Sequence, residues 1–309
     1  MPVPTPSGQQ VSSRQGVPID TRLAARVPWP PIVDMVSHVE PLTRLIRDAL
    51  LNAGAVRSDW GGDLSRLHSF VEAGDRSHAG SSESYLNAVL RALTRQWDFQ
   101  RQYHALVAEL AVRAVPGEHV FQALPRLRCM LPGPSASARP EAERGKLRAI
   151  HADLLWGHPA GQLNVWLPLT DSQGTAALHL GSLAFSVELL QDFLASHPEL
   201  AVAHDPRALF ANYLTSSEVR LAQVHMDCRP SHTQPGFARV FDVRQLYGTA
   251  ENLEEATSVG LEFRLVPLEI HDRMAGRAAD TLTPAGERLV RGAFYSDTLA
   301  RQATTSTPS

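Results

Sequence analysis

Residues 151–153 read His-Ala-Asp and place an imidazole and a carboxylate two positions apart. In a β-strand, residues i and i+2 point to the same face, so these two side chains would project side by side. One imidazole and one carboxylate are two of the three ligands in the 2-His-1-carboxylate set that holds non-haem iron. The sequence therefore predicts a metal site at His151 and Asp153, with a third ligand from elsewhere in the chain.

The runs around this pair have the pattern of short strands. After a turn at Gly157 and Pro159, residues 162–169 and 176–180 are predicted to form two strands. Further strands are predicted over these ranges: 121–130, 220–227, 237–246 and 258–267. Short antiparallel strands separated by close turns favour a double-stranded β-helix, the cupin-like jelly roll. We expect a mainly β fold with flanking helices.

Apolar residues with helical spacing precede and follow these strands. Leu42, Leu45, Ile46, Ala49 and Leu50 mark one face of an amphipathic helix. Other helices are predicted over 83–115, 187–195 and 284–300. The expected order is a disordered tail (1–28), a helical region packed on the barrel (29–118), the barrel core (119–272) and a C-terminal helix with a tail (273–309).

The composition of the chain limits the classes of partner that we expect it to bind. The formal net charge of the 309 residues is −3, which gives no electrostatic footprint for nucleic acid. We find no apolar stretch of roughly 20 residues that would span a membrane. The chain has two cysteines, Cys129 and Cys228, without paired spacing. That number fits a reducing, cytoplasmic location and argues against a disulfide framework.

Residues 151–182 resemble the iron(II)/2-oxoglutarate oxygenases of the phytanoyl-CoA-dioxygenase-like branch, particularly those of aminoglycoside-type antibiotic biosynthesis. Four pieces carry the resemblance: H-A-D (151–153), G-H-P (157–159), N-V-W-L-P-L-T (164–170) and G-T-A-A-L-H-L (174–180). It implies that His151 and Asp153 ligate Fe(II), with 2-oxoglutarate and dioxygen as co-substrates. The implied reaction is hydroxylation, desaturation or cyclisation of a small polar natural-product intermediate.

The resemblance continues over residues 237–267 but breaks at two positions. Where the family has its distal histidine this chain has Tyr247, and where it has the arginine that grips 2-oxoglutarate this chain has Ser258. Asn252, Thr257 and, in the last predicted strand, Glu262 and Arg264 keep the surrounding pattern.

Three interpretations of the third ligand stay open. Tyr247 could bind as a phenolate, because a bound cation can remove the proton of a phenol with an ordinary pKa near 10. Alternatively, His225 could complete the set from the preceding predicted strand, with Arg239 fourteen residues beyond it. In the third interpretation no full triad forms, and the domain binds iron weakly or not at all.

Cations and polar residues near these motifs are candidates for binding the ligand. A keto acid needs an arginine for its distal carboxylate. Arg264 or, in the alternative register, Arg239 could supply it, and the resemblance implies a role for Asn164. Arg128 shares its face with Arg126 and could contact an anionic substrate.

The turn after the His-x-Asp pair contains Trp156 and His158, which we expect to line the substrate pocket. Two other functions compete with the oxygenase: a remodelled metalloenzyme of this fold that acts without 2-oxoglutarate, and a non-catalytic descendant that binds a metabolite.

Overall fold

The structure is a computed structural model. The residues it describes are 32–71, 82–115, 117–133, 148–156, 158–197, 206–275 and 294–295. The predicted tail, residues 1–28, lies outside them.

The described chain contains two groups of three helices, one before residue 119 and one within residues 183–227, and most of the strands lie between and after them. The helices are α1 (Val39–Asn52), α2 (Ser82–Leu93), α3 (Trp97–Ala114), α4 (Leu183–Ser196), α5 (Pro206–Thr215), α6 (Glu218–Asp227) and α7 (Leu268–Ala275). The strands are β1 (Ile32–Asp34), β2 (His119–Gln122), β3 (Arg126–Met130), β4 (Arg148–His151), β5 (Leu163–Pro168), β6 (Leu178–Leu180), β7 (Arg229–Ser231), β8 (Phe237–Asp242), β9 (Tyr247–Thr249), β10 (Ser258–Pro267) and β11 (Phe294–Tyr295). None of the described helices is long and apolar enough to cross a membrane.

The strands form two antiparallel sheets. The large sheet has the order β1-β8-β5-β10-β2-β11, and β3 also pairs with β10. The small sheet has the order β4-β9-β6-β7. From β3 to β10 the chain passes repeatedly between the two sheets, so that β3, β5, β8 and β10 face β4, β6, β7 and β9. This winding is a double-stranded β-helix, and the predicted jelly roll is confirmed.

The three N-terminal helices cover the outer face of the large sheet, as predicted. Leu42 and Ile46 of α1 and Tyr103 of α3 share one buried cluster with Val165 of β5 and Phe263 of β10. The Tyr103 and Phe263 rings meet edge to face with their centroids 5.4 Å apart. Burying a large apolar side chain contributes about 1.5–3 kcal/mol, so this face supplies much of the stability.

The β predictions for 162–169, 176–180 and 258–267 are confirmed, with the last strand exact at both ends. The first amphipathic helix and the helix at 187–195 are confirmed as α1 and α4. The predicted strand at 121–130 is divided near Pro125 into β2 and β3. The single helix over 83–115 is likewise two helices, α2 and α3, separated by a turn at 94–96.

The predicted strand at 220–227 is wrong, because these residues belong to helix α6. The Ser217 side chain caps the helix by accepting from the Arg220 amide. Val224 and Cys228 are buried four residues apart, whereas Val219 and Met226 are exposed. The apolar alternation read as strand-like is therefore one side of a helix, and it carries His225 out of the sheet.

At the C-terminus the predicted helix over 284–300 falls mostly outside the described residues. It is wrong at β11, which pairs with β2 instead. Helix α7, which follows β10 directly, was not predicted from the sequence.

Candidate metal centre

His151 and Asp153 lie at the mouth of the barrel, where β4 ends. His151 is the last residue of the strand, and Asp153 begins a short 3-10 helix, Asp153–Trp156. The prediction that both side chains project from one strand is therefore wrong. The two side chains nevertheless converge. Imidazole Nε2 lies 3.7 Å from Asp153 Oδ1. Asp153 is fully buried.

Tyr247 joins this pair from the neighbouring strand of the small sheet. The β4–β9 pairing sets it opposite His151, and the two ring centroids are 4.3 Å apart. Its hydroxyl donates a 2.7 Å hydrogen bond to Asp153 Oδ1, and the side chain is buried. Tyr247 thus touches both of the predicted ligands, His151 and Asp153.

Arg264 binds the other oxygen of the Asp153 carboxylate. Its Nε donates to Asp153 Oδ2 at 2.7 Å, while Nη2 and Nη1 donate to Glu262 and Gln122, each at 3.1 Å. The second oxygen of Glu262 accepts from Nε of Arg128 at 2.7 Å. A line of alternating charges therefore runs from Asp153 through Arg264 and Glu262 to Arg128, and each carboxylate is compensated.

This network sets the protonation of its members. Burial raises the pKa of Asp153, but the Arg264 guanidinium and the Tyr247 hydroxyl outweigh it, and the net pKa lies below the usual value. Burial and the Asp153 carboxylate hold the pKa of Tyr247 well above that of a free phenol. In the metal-free chain Tyr247 is therefore a neutral donor and Asp153 an anion.

Asn164 and His158 lie on the same side of the barrel. Asn164 of β5 pairs in register with Arg264, and its Oδ1 accepts from Gln162 Nε2 at 3.0 Å. His158 Nδ1 lies 3.0 Å from Gln162 Oε1. Burial lowers the pKa of His158, so its imidazole is neutral near pH 7. Asn164 is buried, and its Nδ2 has no hydrogen-bond partner among the described residues.

Other predicted site residues lie apart from this centre. His225 sits on α6, where it interacts electrostatically with His179. Within the described ranges no three His, Cys, Asp or Glu side chains form a group that could hold a metal, so His225 does not join His151 and Asp153. The side chain of Trp156 lies outside the described part of the structure.

A small, open cavity lies beside Tyr247. Its lining comprises Arg128, His151, Trp166, Leu178, Phe241, Tyr247, Gly248, Thr249 and Glu262. Trp166 was not among the predicted site residues. Its side chain is buried, and its indole Nε1 has no acceptor among the described residues. Trp166 lies two residues from Asn164 on β5, so the two side chains share a face of the strand. That spacing was the sequence feature that could have identified it.

Gly260 makes room for that indole. Because Gly260 has no side chain, the Trp166 ring lies directly against the β10 backbone, and a β-carbon there would collide with the ring. The tryptophan is thereby held in the barrel interior.

His151 Nε2, Asp153 Oδ1 and the Tyr247 oxygen fit one metal ion when the Tyr247 hydroxyl has lost its proton. Metal bonds to histidine and carboxylate are about 2.1 Å long, so one ion can reach His151 Nε2 and Asp153 Oδ1 across 3.7 Å. The Tyr247 oxygen is 2.7 Å from the same Oδ1, and its proton lies between the two oxygens. The residues fit a cation that displaces this proton, and two anionic oxygens with one imidazole favour ferric over ferrous iron.

The residues do not fit 2-oxoglutarate in the way the resemblance implies. Ser258 is buried and its hydroxyl donates to the Ala176 carbonyl. Arg264 already uses all three of its nitrogens on Asp153, Glu262 and Gln122. Ser258 carries no charge, and the Arg264 guanidinium is already bound by protein groups. Neither residue can pair with the distal carboxylate of 2-oxoglutarate in this arrangement.

Comparison with solved structures gives distant structural neighbours. No protein-family model and no curated protein sequence matches the chain. Among solved structures, the non-haem monooxygenase ThoJ in complex with nickel is 12% identical, with 89% of this chain and 91% of that chain covered and a TM-score of 0.40.

The non-haem alpha-ketoglutarate-dependent epimerase SnoN from nogalamycin biosynthesis is 14% identical over 88% of this chain and 96% of its own, with a TM-score of 0.36. EvdO2 from Micromonospora carbonacea var. aurantiaca, complexed with 2-oxoglutarate, is 15% identical over 84% and 91%, with a TM-score of 0.36. At these values the likeness carries no inference about the activity of this chain.

Proposed function

We propose that this chain is a non-haem iron oxygenase in which His151, Asp153 and Tyr247 hold the metal. One observation carries the proposal: an imidazole nitrogen, a carboxylate oxygen and a phenol oxygen converge beside a cavity, with separations of 3.7 and 2.7 Å from Asp153 Oδ1. A fold alone does not define a function, and the donor set is what favours a metal here.

The residues behind the donors would fix their orientation. Arg264 holds Asp153 Oδ2, which leaves Oδ1 directed towards His151 and Tyr247. Glu262 and Gln122 hold Arg264 in turn. Such outer contacts orient metal ligands and typically change metal affinity 10-fold to 100-fold when they are removed. Arg264 in this proposal is a positioning residue.

When bound, the iron would supply the redox chemistry with dioxygen that protein side chains lack. The chain itself would bind and orient a small polar substrate in the cavity. Trp166, Leu178 and Phe241 make part of the wall apolar, which limits water near the metal. Arg128, whose side chain is 31% exposed at the cavity, remains a proposed substrate contact. Dependence on 2-oxoglutarate stays a prediction from the resemblance.

The test is titration of the metal-free chain with iron, followed by visible absorption. Ferric iron should bind at one equivalent and produce a strong phenolate charge-transfer band. Tyr247→Phe should lose the band, and His151→Ala should bind iron at least about 10-fold more weakly. Tyr85→Phe is the matched control, because Tyr85 is a half-exposed tyrosine on α2. An unchanged band in Tyr247→Phe would contradict the proposal.

A second candidate function is metal-free binding of a metabolite. It is favoured by the completeness of the present network, in which both oxygens of Asp153 already accept hydrogen bonds from protein donors. Metal must compete with these bonds. A chain that gives no metal-dependent signal with ferric or ferrous iron, yet still binds small molecules in the cavity, would support this candidate instead.

A further inference from the structure

The helices α4, α5 and α6 share an apolar cluster that is separate from the one beneath the N-terminal helices. In the helices its buried members include Leu190 and Phe193 of α4, Phe210 and Leu214 of α5, and Val224 of α6. The Phe193 and Phe210 rings meet edge to face with their centroids 5.0 Å apart. These three helices therefore form one packed layer.

The same cluster includes residues next to the three proposed metal ligands. Ala152 lies between His151 and Asp153, and Leu246 directly precedes Tyr247. His151 and Tyr247 line the cavity, whereas Ala152 and Leu246 are fully buried against the helices. The backbone that carries the proposed ligands is therefore held from behind by the layer α4–α6.

The backbone is held most directly at Leu246. Its N–H donates to Ser186 Oγ at 3.0 Å, and its carbonyl accepts from the Gly181 N–H at 2.8 Å. The Gln245 side chain also donates, through Nε2, to the Gly181 carbonyl at 2.9 Å. The residue before Tyr247 thus takes both of these backbone bonds from the segment where α4 begins.

Ser186 is itself fixed in place. It is fully buried, and its hydroxyl donates to the Ser182 carbonyl at 2.7 Å. Because a hydroxyl has one hydrogen, the Ser186 oxygen meets the Leu246 N–H with a lone pair. The amide and the hydroxyl of Ser182 each donate to the Asp227 carboxylate at 2.8 Å. A continuous run of hydrogen bonds therefore leads from the end of α6 through the start of α4 to Leu246.

We propose that the layer α4–α6 positions the metal ligands, and that Ser186 is the positioning residue for Tyr247. Without the Ser186 hydroxyl, the Leu246 N–H would be buried without an acceptor, which is unfavourable enough to move the backbone ahead of Tyr247. Such a shift would change the 2.7 Å separation between the Tyr247 hydroxyl and Asp153 Oδ1. The inference rests on the proposed function, because it concerns the orientation of a proposed ligand.

The test compares Ser186→Ala with Thr170→Val in the full-length chain. Thr170 is the matched control, because its buried hydroxyl also accepts from a backbone N–H, that of Val259 on β10, at 2.9 Å. Each substitution removes a buried acceptor with little change in side-chain size, so similar decreases in melting temperature are expected. Stability alone therefore does not distinguish the two variants.

The first measurement needs no metal. Amide hydrogen exchange is followed by mass spectrometry in the presence of EDTA. In Ser186→Ala the exchange of residues 243–250 should be at least about 10-fold faster than in wild type, because the Leu246 N–H has lost its acceptor. Thr170→Val should leave exchange in this range unchanged. Unchanged exchange over 243–250 in Ser186→Ala would overturn the inference.

The second measurement is the titration with ferric iron. Ser186→Ala should bind iron about 10-fold more weakly and shift the phenolate charge-transfer band, whereas Thr170→Val should keep the wild-type affinity and band. Ser186→Thr, which retains the hydroxyl, should recover most of the affinity. Wild-type affinity and an unshifted band in Ser186→Ala would overturn the inference and leave the proposed function standing.

The two proposals can fail separately. A wild-type chain that gives no band with iron would contradict the proposed function. The exchange of residues 243–250, measured without metal, would still show whether Ser186 holds the backbone that carries Tyr247.

Discussion

The two faces of the large sheet are stabilised by different kinds of contact, and β10 contributes residues to both faces. On its outer face Leu261, Phe263 and Leu265 are buried in one apolar cluster with the N-terminal helices. On its inner face Glu262 and Arg264 are equally buried, but they are charged and bonded to each other and to distant residues. Each outer residue contributes its own buried area, whereas each inner residue depends on a specific partner.

The difference shows where the fold and the site are encoded. Apolar contacts are non-directional, so the outer face requires only alternation and approximate size. A buried ion pair needs its exact partner, because removing one member leaves an uncompensated charge in a low-dielectric interior. Substitutions on the two faces should therefore differ in size and in how they combine.

The largest effect is expected on the inner face. Arg264→Met would leave Asp153 without its cation, and Glu262 with Arg128 alone, so the unfolding free energy should fall by about 4 kcal/mol at pH 7. Urea denaturation followed by circular dichroism measures it. A loss below about 1 kcal/mol would show that water or rearranged side chains replace the guanidinium easily, and the two faces would then not differ as described.

On the outer face Leu261→Ala should cost about 3 kcal/mol, through lost burial and the cavity left behind. The same urea experiment measures it. Combined with Arg264→Met, it should add to the loss within about 0.5 kcal/mol, because the two side chains share no partner. Strong coupling between them would mean that the helical layer and the barrel interior are not independent.

A smaller, pH-dependent effect is expected on the outer side of the small sheet. Burial lowers the pKa of His179 on β6, helped by His232 and His225. The unfolded chain therefore binds more protons than the folded chain below about pH 6.5, and stability rises with pH and is complete above that value. Thermal unfolding of His179→Gln between pH 5 and pH 7.5 should show a flatter rise than wild type. Parallel curves would mean that His179 takes up its proton without cost.

The smallest effect is expected at the solvent-exposed pair of Arg44 and Glu40 on α1. Arg44→Gln should change the unfolding free energy by no more than about 0.5 kcal/mol, because exposed ion pairs are screened and entropically costly. It serves as the charge-removal control for Arg264→Met. If both variants lost similar stability, burial would not be what makes the inner network important.

The sequence predicted the periodic parts of the molecule well. β10 was exact because its outer residues alternate over ten positions, and α1 followed from apolar spacing. Helix α6 was misread because its apolar residues also alternate over a short window. Over so few residues, the two-residue period of a strand and the 3.6-residue period of a helix cannot be distinguished.

The sequence did not predict which polar and charged residues pair with each other in the barrel interior. Asp153 and Arg264 are 111 residues apart in sequence, and their contact depends on how the two sheets close on each other. The resemblance singled out Tyr247 as a candidate third ligand but could not show that its hydroxyl donates a hydrogen bond to Asp153.

The most direct test of the central idea is a crystal structure of the iron-loaded chain. We expect one ion within about 2.2 Å of His151 Nε2, Asp153 Oδ1 and the Tyr247 oxygen, with Arg264 still bound to Asp153 Oδ2. An ion bound elsewhere, or Tyr247 still donating its proton to Asp153 with no metal between them, would contradict it.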